Sequence, residues 1–150
     1  MKTLVFDMDG TIADLYGVDK WLDMLIAEDP TPYTVAEPMY DMTVLKEILI
    51  ELKANGWNIA VTTWLSKGSS RYYDKLVRKA KLEWLERYEF PFDEVHMVKY
   101  GATKANSTRS LGGYQILIDD NEKVRSGWTL GHTIDANKNI LKELEKLLDL

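Results

Sequence analysis

Asp7 and Asp9 stand at the end of the apolar run Leu4-Val5-Phe6, with Gly10-Thr11 directly after them, so two carboxylates sit where a buried strand gives way to a turn. A second pair, Asp119-Asp120, closes the apolar run Tyr114-Gln115-Ile116-Leu117-Ile118 more than a hundred residues later. If both runs are parallel strands, the two pairs arrive at one edge of one sheet. Four carboxylates that close would raise one another's pKa and resist joint ionisation. A hard divalent cation relieves that repulsion, and Mg2+, which takes few carboxylates and keeps several waters, suits the set.

Such a site is suited to phosphoryl transfer. A carboxylate attacking phosphorus makes an acyl phosphate that water later opens, which splits one difficult displacement into two easier ones, and Asp7 suits the nucleophile. Asp9, two positions on, can give a proton to the leaving oxygen and later take one from water. Gly10 permits the sharp turn behind them. The run Ile59-Ala60-Val61 ends in Thr62-Thr63, followed by Trp64-Leu65-Ser66-Lys67-Gly68-Ser69-Ser70-Arg71. Hydroxyls and free N–H groups at a strand-to-helix turn make a phosphate cradle. After the next strand come Lys99 and, in Tyr100-Gly101-Ala102-Thr103-Lys104, a second lysine; one of the two should neutralise nucleophile and phosphate together.

Each part alone has an ordinary structural explanation. Paired aspartates cap helices or face water, threonines are good β-formers, and most lysines are solvated. The order of the combination is what counts: Asp-x-Asp, hydroxyl, lysine and Asp-Asp all fall at the C-terminal ends of successive strands, where open α/β sheets bind their ligands.

The elements that must position these groups follow from periodicity. Short β-rich runs at Leu4 to Phe6, Ile59 to Thr62, Val95 to Val98 and Tyr114 to Ile118, with a weaker one at His132 to Ile134, alternate with helical patterns. That alternation predicts an α/β fold, a three-layer Rossmann-like parallel sheet with helices on both faces. Val44, Leu45, Ile48, Leu49 and Leu52 form a helical stripe, with Thr43 as expected N-cap and Gly56 as stop. Tyr73 to Tyr88 forms another, with its Lys and Arg residues expected on the wet side, and Ile140 to Leu148 a third. Residues 15–42 interrupt the alternation with a short amphipathic stretch and Pro30, Pro32 and Pro38; they read either as a small helical cap over the first strand's end or as a surface excursion. The expectation is one domain over residues 1–150 that carries this insertion.

With 45% apolar residues the chain can bury a sizeable core, and its lack of cysteine removes disulfides, thiolate metal sites and a cysteine nucleophile. A net charge of −5 argues against broad attraction to nucleic acid or anionic membrane, so an anionic substrate must be met by a few placed cations. No leader-like or membrane-spanning run is present, which favours the cytoplasm. His96 and His132 read as structural. Trp64 and Trp128 are able to stack on a base, although tryptophan more often fills core.

At these residues the sequence resembles the haloacid dehalogenase-like superfamily of phosphohydrolases. Asp7-Met8-Asp9-Gly10-Thr11 is similar to its first motif, Thr62 to the second, Lys104 in its Tyr-Gly-x-x-Lys loop to the third, and Ile118-Asp119-Asp120 to the fourth. The resemblance implies Asp7 as nucleophile, Asp9 as acid/base, phosphate held by Thr62 and Lys104 with Thr63 beside them, and Mg2+ held by Asp7, the Asp9 carbonyl and Asp119 or Asp120. An acid at the second position of Asp-x-Asp goes with phosphatases and phosphomutases in that superfamily. The short insertion and the Thr62-Thr63 pair also resemble the deoxyribonucleotidase branch. The expected activity is therefore a Mg2+-dependent phosphomonoesterase working through an aspartyl-phosphate on a small phosphorylated substrate, with a nucleoside monophosphate the best single choice. A polynucleotide end phosphatase, a phosphotransferase and a non-catalytic metal- or phosphate-binding module are the alternatives.

Overall fold

The computed structural model describes residues 1–149. The chain runs β1 (Lys2–Phe6), β2 (Ala13–Asp14), a 3-10 turn at Leu15–Gly17, α1 (Trp21–Ile26), α2 (Thr31–Val35), β3 (Glu37–Pro38), α3 (Met42–Ala54) and β4 (Trp57–Trp64). It continues through α4 (Arg71–Arg87), β5 (Glu94–Val98), α5 (Ala105–Thr108), a 3-10 turn at Arg109–Leu111, β6 (Tyr114–Asp119), α6 (Glu122–Ser126), β7 (Thr133–Asp135) and α7 (Ile140–Leu148). Strands β5-β4-β1-β6-β7 form one five-stranded sheet, and every pairing in it is parallel. The expected α/β three-layer architecture is present.

Each strand alternates its side chains between the two faces, and both faces are buried, so the central strands read as unbroken apolar runs. Leu4, Phe6, Ile59, Val61, Ile116 and Ile118 point to the face covered by α3, the second half of α4 and α7. Val5, Ala60 and Leu117 point to the other face, where Ala105 at the start of α5 and Trp128 after α6 cover them. Trp128 donates its indole N–H to the Gln115 carbonyl at 3.1 Å, which makes it a core residue.

Helix α3 starts two residues earlier than expected. Its N-cap is Asp41, whose carboxylate accepts from the Thr43 and Val44 N–H groups, and Thr43 lies inside the first turn. Gly56 follows the helix end with φ +95°, the left-handed backbone that favours glycine there. A larger departure concerns α4, where periodicity allows the Lys and Arg residues the wet side. Lys81 is fully buried, on the stripe formed by Val77, Ala80 and Trp84.

Residues 15–42 contain the first 3-10 turn, α1, α2 and β3, which pairs with β2 just before the segment in a two-stranded antiparallel ribbon. Leu15 and Tyr33 pack with Tyr73, Val77 and Ala80 on the first half of α4, with Trp21 and Leu25 alongside. Among the described residues no helix is long and apolar enough to cross a membrane.

Candidate functional site

Parallel pairing fixes which side chains share the carboxyl edge of the sheet. Phe6 is opposite both Val61 of β4 and Ile118 of β6. The next residues along, Asp7, Thr62 and Asp119, therefore stand side by side on the α5 face, while Met8 and Thr63 belong to the α4 face. The Asp7 N–H donates to the Ile118 carbonyl at 2.9 Å, so strand pairing holds the backbone up to the carboxylate itself.

Lys104 is the N-cap of α5 and is buried. Its ammonium donates to Asp7 Oδ1 and to Asp119 Oδ2, both at 2.7 Å. Lys99 is exposed, so of the two lysines it is Lys104 that touches the acids. Burial alone would weaken the Lys104 charge; the two carboxylates overturn that and hold its pKa above the ordinary value. Thr11 Oγ1 donates to the other Asp7 oxygen at 2.9 Å. Asp7 is thus gripped from both sides.

Asp7, Asp119 and Asp120 each present a carboxylate oxygen within 4.8 Å of the others. Asp119 also accepts from the Asn121 N–H at 2.9 Å. Burial, with Asp7 adding to it, pushes the Asp119 carboxyl up against the pull of Lys104. Asp120 is pushed up to about 8, first by burial and then by the neighbouring Asp7 carboxylate. Three hard oxygen donors that repel one another in the absence of a cation fit a Mg2+-like ion and would not attract a soft one. Gly10 makes the approach possible. A Cβ there would lie 2.4 Å from Asp120 Oδ2 and 2.9 Å from Tyr16 Cε2, on a backbone with φ +81°.

Asp9 is not part of that trio. Its Oδ2 accepts from the buried Lys81 ammonium at 2.8 Å, and the same ammonium donates to Thr63 Oγ1 at 2.7 Å and to the Trp64 carbonyl at 2.8 Å. Burial raises the Asp9 pKa, with Lys81 opposing. The two threonines therefore part company. Thr63 is tied to Lys81, whereas Thr62 Oγ1 is buried without a hydrogen-bond partner among the described residues, beside Asp7.

Asp7, Asp9, Lys104, Asp119 and Asp120 open into one cavity of about 380 Å³, roofed by Tyr16, Trp21, Leu22, Leu25 and Ile26 and walled by Trp64 and Tyr100. The roof comes from residues 15–42, and Tyr33 of α2 reaches across to hydrogen-bond Ser66. Tyr16 and Tyr33 are held neutral, burial being the largest cause and the Asp9 carboxylate the next.

Lys81 and Thr11 carry contacts the sequence reading assigned to no one. Lys81 had a visible signal: Tyr73, Val77 and Lys81 are spaced by four, which puts the lysine on the buried stripe rather than opposite it.

A parallel α/β sheet with an acidic cluster at its carboxyl edge, under a small roof, defines the class. Over the whole of both chains it is similar to the crystal structure of D,D-heptose 1,7-bisphosphate phosphatase from Burkholderia thailandensis, with a TM-score of 0.60 at 12% sequence identity. That likeness is one of fold: a parallel α/β sheet with helices on both faces, as the alternation of strands and helices predicts. No protein-family model and no curated protein matches the sequence.

Proposed function

We propose that this chain is a Mg2+-dependent phosphomonoesterase of the haloacid dehalogenase-like superfamily that works through an aspartyl-phosphate. One observation carries the reading: Asp7 is gripped by Lys104 and Thr11, next in line to Asp119 and to the unpartnered hydroxyl of Thr62. A carboxylate held at both oxygens is oriented for attack.

In the first step Asp7 attacks phosphorus and the bond to the leaving oxygen breaks, with its electron pair going to that oxygen, which takes a proton from Asp9. In the second, water attacks the phosphorus of the acyl phosphate, Asp9 accepts the water's proton and Asp7 is released. Thr62 and Lys104 hold phosphate oxygens, with Thr63 steadying the loop beneath them. Mg2+, when held by Asp7, the Asp9 carbonyl and Asp119 or Asp120, supplies positive charge to the phosphoryl oxygens.

The aromatic walls of the cavity, Tyr16, Trp21, Trp64 and Tyr100, support a leaving group with a flat ring, and a nucleoside monophosphate is our choice. A second reading, the phosphorylated end of a polynucleotide, is favoured by an adjoining hollow. That hollow shares Leu65, Ser66, Lys67 and Tyr100 with the cavity and adds the cations Arg78 and Lys99. Phosphate release from mononucleotides, end-phosphorylated oligonucleotides and sugar bisphosphates, with Mg2+, with EDTA and in Asp7→Asn, tests all of this. Release that persists in EDTA and in Asp7→Asn would remove the mechanism, and the fastest substrate decides between the readings.

A further inference from the structure

Among the described residues, Lys81 is the one buried cation that the phosphatase reading does not use. It arises from the middle of α4, far from the motif loops in sequence, and its side chain is wholly enclosed. An ammonium has three protons, and here each has its own acceptor: Asp9 Oδ2, Thr63 Oγ1 and the Trp64 carbonyl, at 2.7 to 2.8 Å. Its rotation is therefore fixed. The Tyr33 ring of α2 lies 5.0 Å from the ammonium, a cation–π contact from the roof.

These contacts join two segments that the sheet does not hold at this level. Asp9 lies beyond the end of β1 in the loop that continues through Gly10, while Thr63 and Trp64 end β4. The Asp9 side chain retains slight solvent access on the cavity side. With Oδ2 committed to Lys81, Oδ1 is the oxygen left for an incoming molecule.

We propose that Lys81 is a positioning residue that clamps Asp9 so that its Oδ1 faces the leaving-group oxygen. The inference rests on the phosphatase reading above, in which Asp9 transfers the proton. As the phosphorus–oxygen bond breaks, its electron pair goes to the leaving oxygen and the Oδ1–H bond gives that oxygen its proton. Lys81 neither gains nor loses a proton in the cycle. It keeps one carboxylate oxygen anchored while the other works, which holds the donor within the hydrogen-bond reach that proton transfer requires. Loss of the clamp leaves Asp9 in place chemically and lets its carboxylate turn.

Substrates of different leaving-group basicity separate this role from a structural one. An alkoxide leaves only with a proton, whereas p-nitrophenolate leaves without one. In Lys81→Met, kcat/KM on an alkyl phosphate should fall by about 10²-fold or more, the scale of general-acid catalysis, and on p-nitrophenyl phosphate by only a few-fold. Lys81→Arg, which keeps the charge, should recover part of the alkyl rate. Thr63→Val, which removes one anchor of the ammonium, should show the same selectivity more weakly and gives the readout if Lys81→Met does not fold. Equal losses on both substrates, without recovery by arginine, would make Lys81 a structural cation and overturn the inference. Asp7→Asn in the same assays reports on the parent reading separately: retained turnover there removes the aspartyl-phosphate whatever Lys81 does.

Discussion

Replacing Lys104 with methionine removes a charge while keeping most of the side chain's length and apolar volume. In the native chain the ammonium lies 2.7 Å from Asp7 and 2.7 Å from Asp119. At an effective dielectric of about 20, each attraction at that range is worth roughly 6 kcal/mol before the desolvation of the ions is subtracted. Breaking a buried pair by removing one partner typically destabilises by about 3–5 kcal/mol, because the other charge stays buried and unmatched.

The stranded cluster has one escape, which sets a ceiling on the loss. A carboxylate can take up a proton, and for a carboxyl of ordinary pKa near 3.9 this costs about 5 kcal/mol at pH 7.5 but only about 2 kcal/mol at pH 5.5. Asp119, already raised by burial with Lys104 in place, is the group expected to take it. Its proton affinity is then raised in the folded state and ordinary in the unfolded one. Stability of Lys104→Met is accordingly greatest at low pH and declines as the pH climbs toward the folded-state pKa. Urea unfolding followed by circular dichroism, at pH 5.5 and 7.5 with EDTA or Mg2+, measures the gap to wild type. The gap should be about 3–5 kcal/mol at pH 7.5 in EDTA, fall to about 2 kcal/mol or less at pH 5.5, and narrow on adding Mg2+. A gap that ignores both pH and Mg2+ would mean that Lys104 contributes packing alone, and the electrostatic account of the site would fail.

The same logic predicts a pH-dependent metal effect in the wild type. With Asp120 pushed up to about 8 from an ordinary 3.8, metal-free stability is highest in acid and declines as pH rises toward 8, so the rise in melting temperature on adding Mg2+ should be larger at pH 8 than at pH 5.5. Gly10→Ala forces a Cβ to within 2.4 Å of Asp120 Oδ2 on a left-handed backbone; hydrolysis should fall by at least about 10-fold, the equivalent of 1.4 kcal/mol, with the circular dichroism spectrum kept. Trp84→Ala empties a fully buried site whose indole donates to the Ala36 carbonyl at 2.8 Å, and should destabilise by about 3–5 kcal/mol in chemical denaturation, independently of pH and Mg2+.

The sheet was legible because parallel strands buried on both faces must be apolar throughout, and the runs at Leu4, Ile59, Ile116 and their neighbours are. Asp41 and Thr43 are both good N-cap residues, so the sequence does not choose between them; backbone geometry selects Asp41. The acids were legible for a related reason: a strand end followed by glycine leaves few places for a carboxylate to point. Lys104 against Lys99 was legible only through the resemblance of the Tyr100-Gly101-Ala102-Thr103-Lys104 loop, because the path of the loop after β5, which brings Lys104 to Asp7 and Asp119 and leaves Lys99 exposed, does not follow from periodicity. The burial of Lys81 was hard to see because a lysine in a helix rich in Lys, Arg and Glu is usually solvated, and only its register with Val77 and Trp84 argues otherwise.

The burial of Lys81 matters for the charge of the site. With all four acids ionised, Asp7, Asp9, Asp119 and Asp120 against Lys104 alone leave a surplus of three negative charges; with Lys81 the surplus is two, the charge of one divalent cation. The two lysines are not equivalent in this balance. Lys104 sits on the α5 face with the trio that fits a cation, while Lys81 sits on the α4 face and holds Asp9 apart from it. Four carboxylates that would otherwise repel as one group are thereby divided into a trio that could hold a cation and a single acid with a free oxygen, and on the proposed mechanism that division would let Asp7 attack while Asp9 moves a proton.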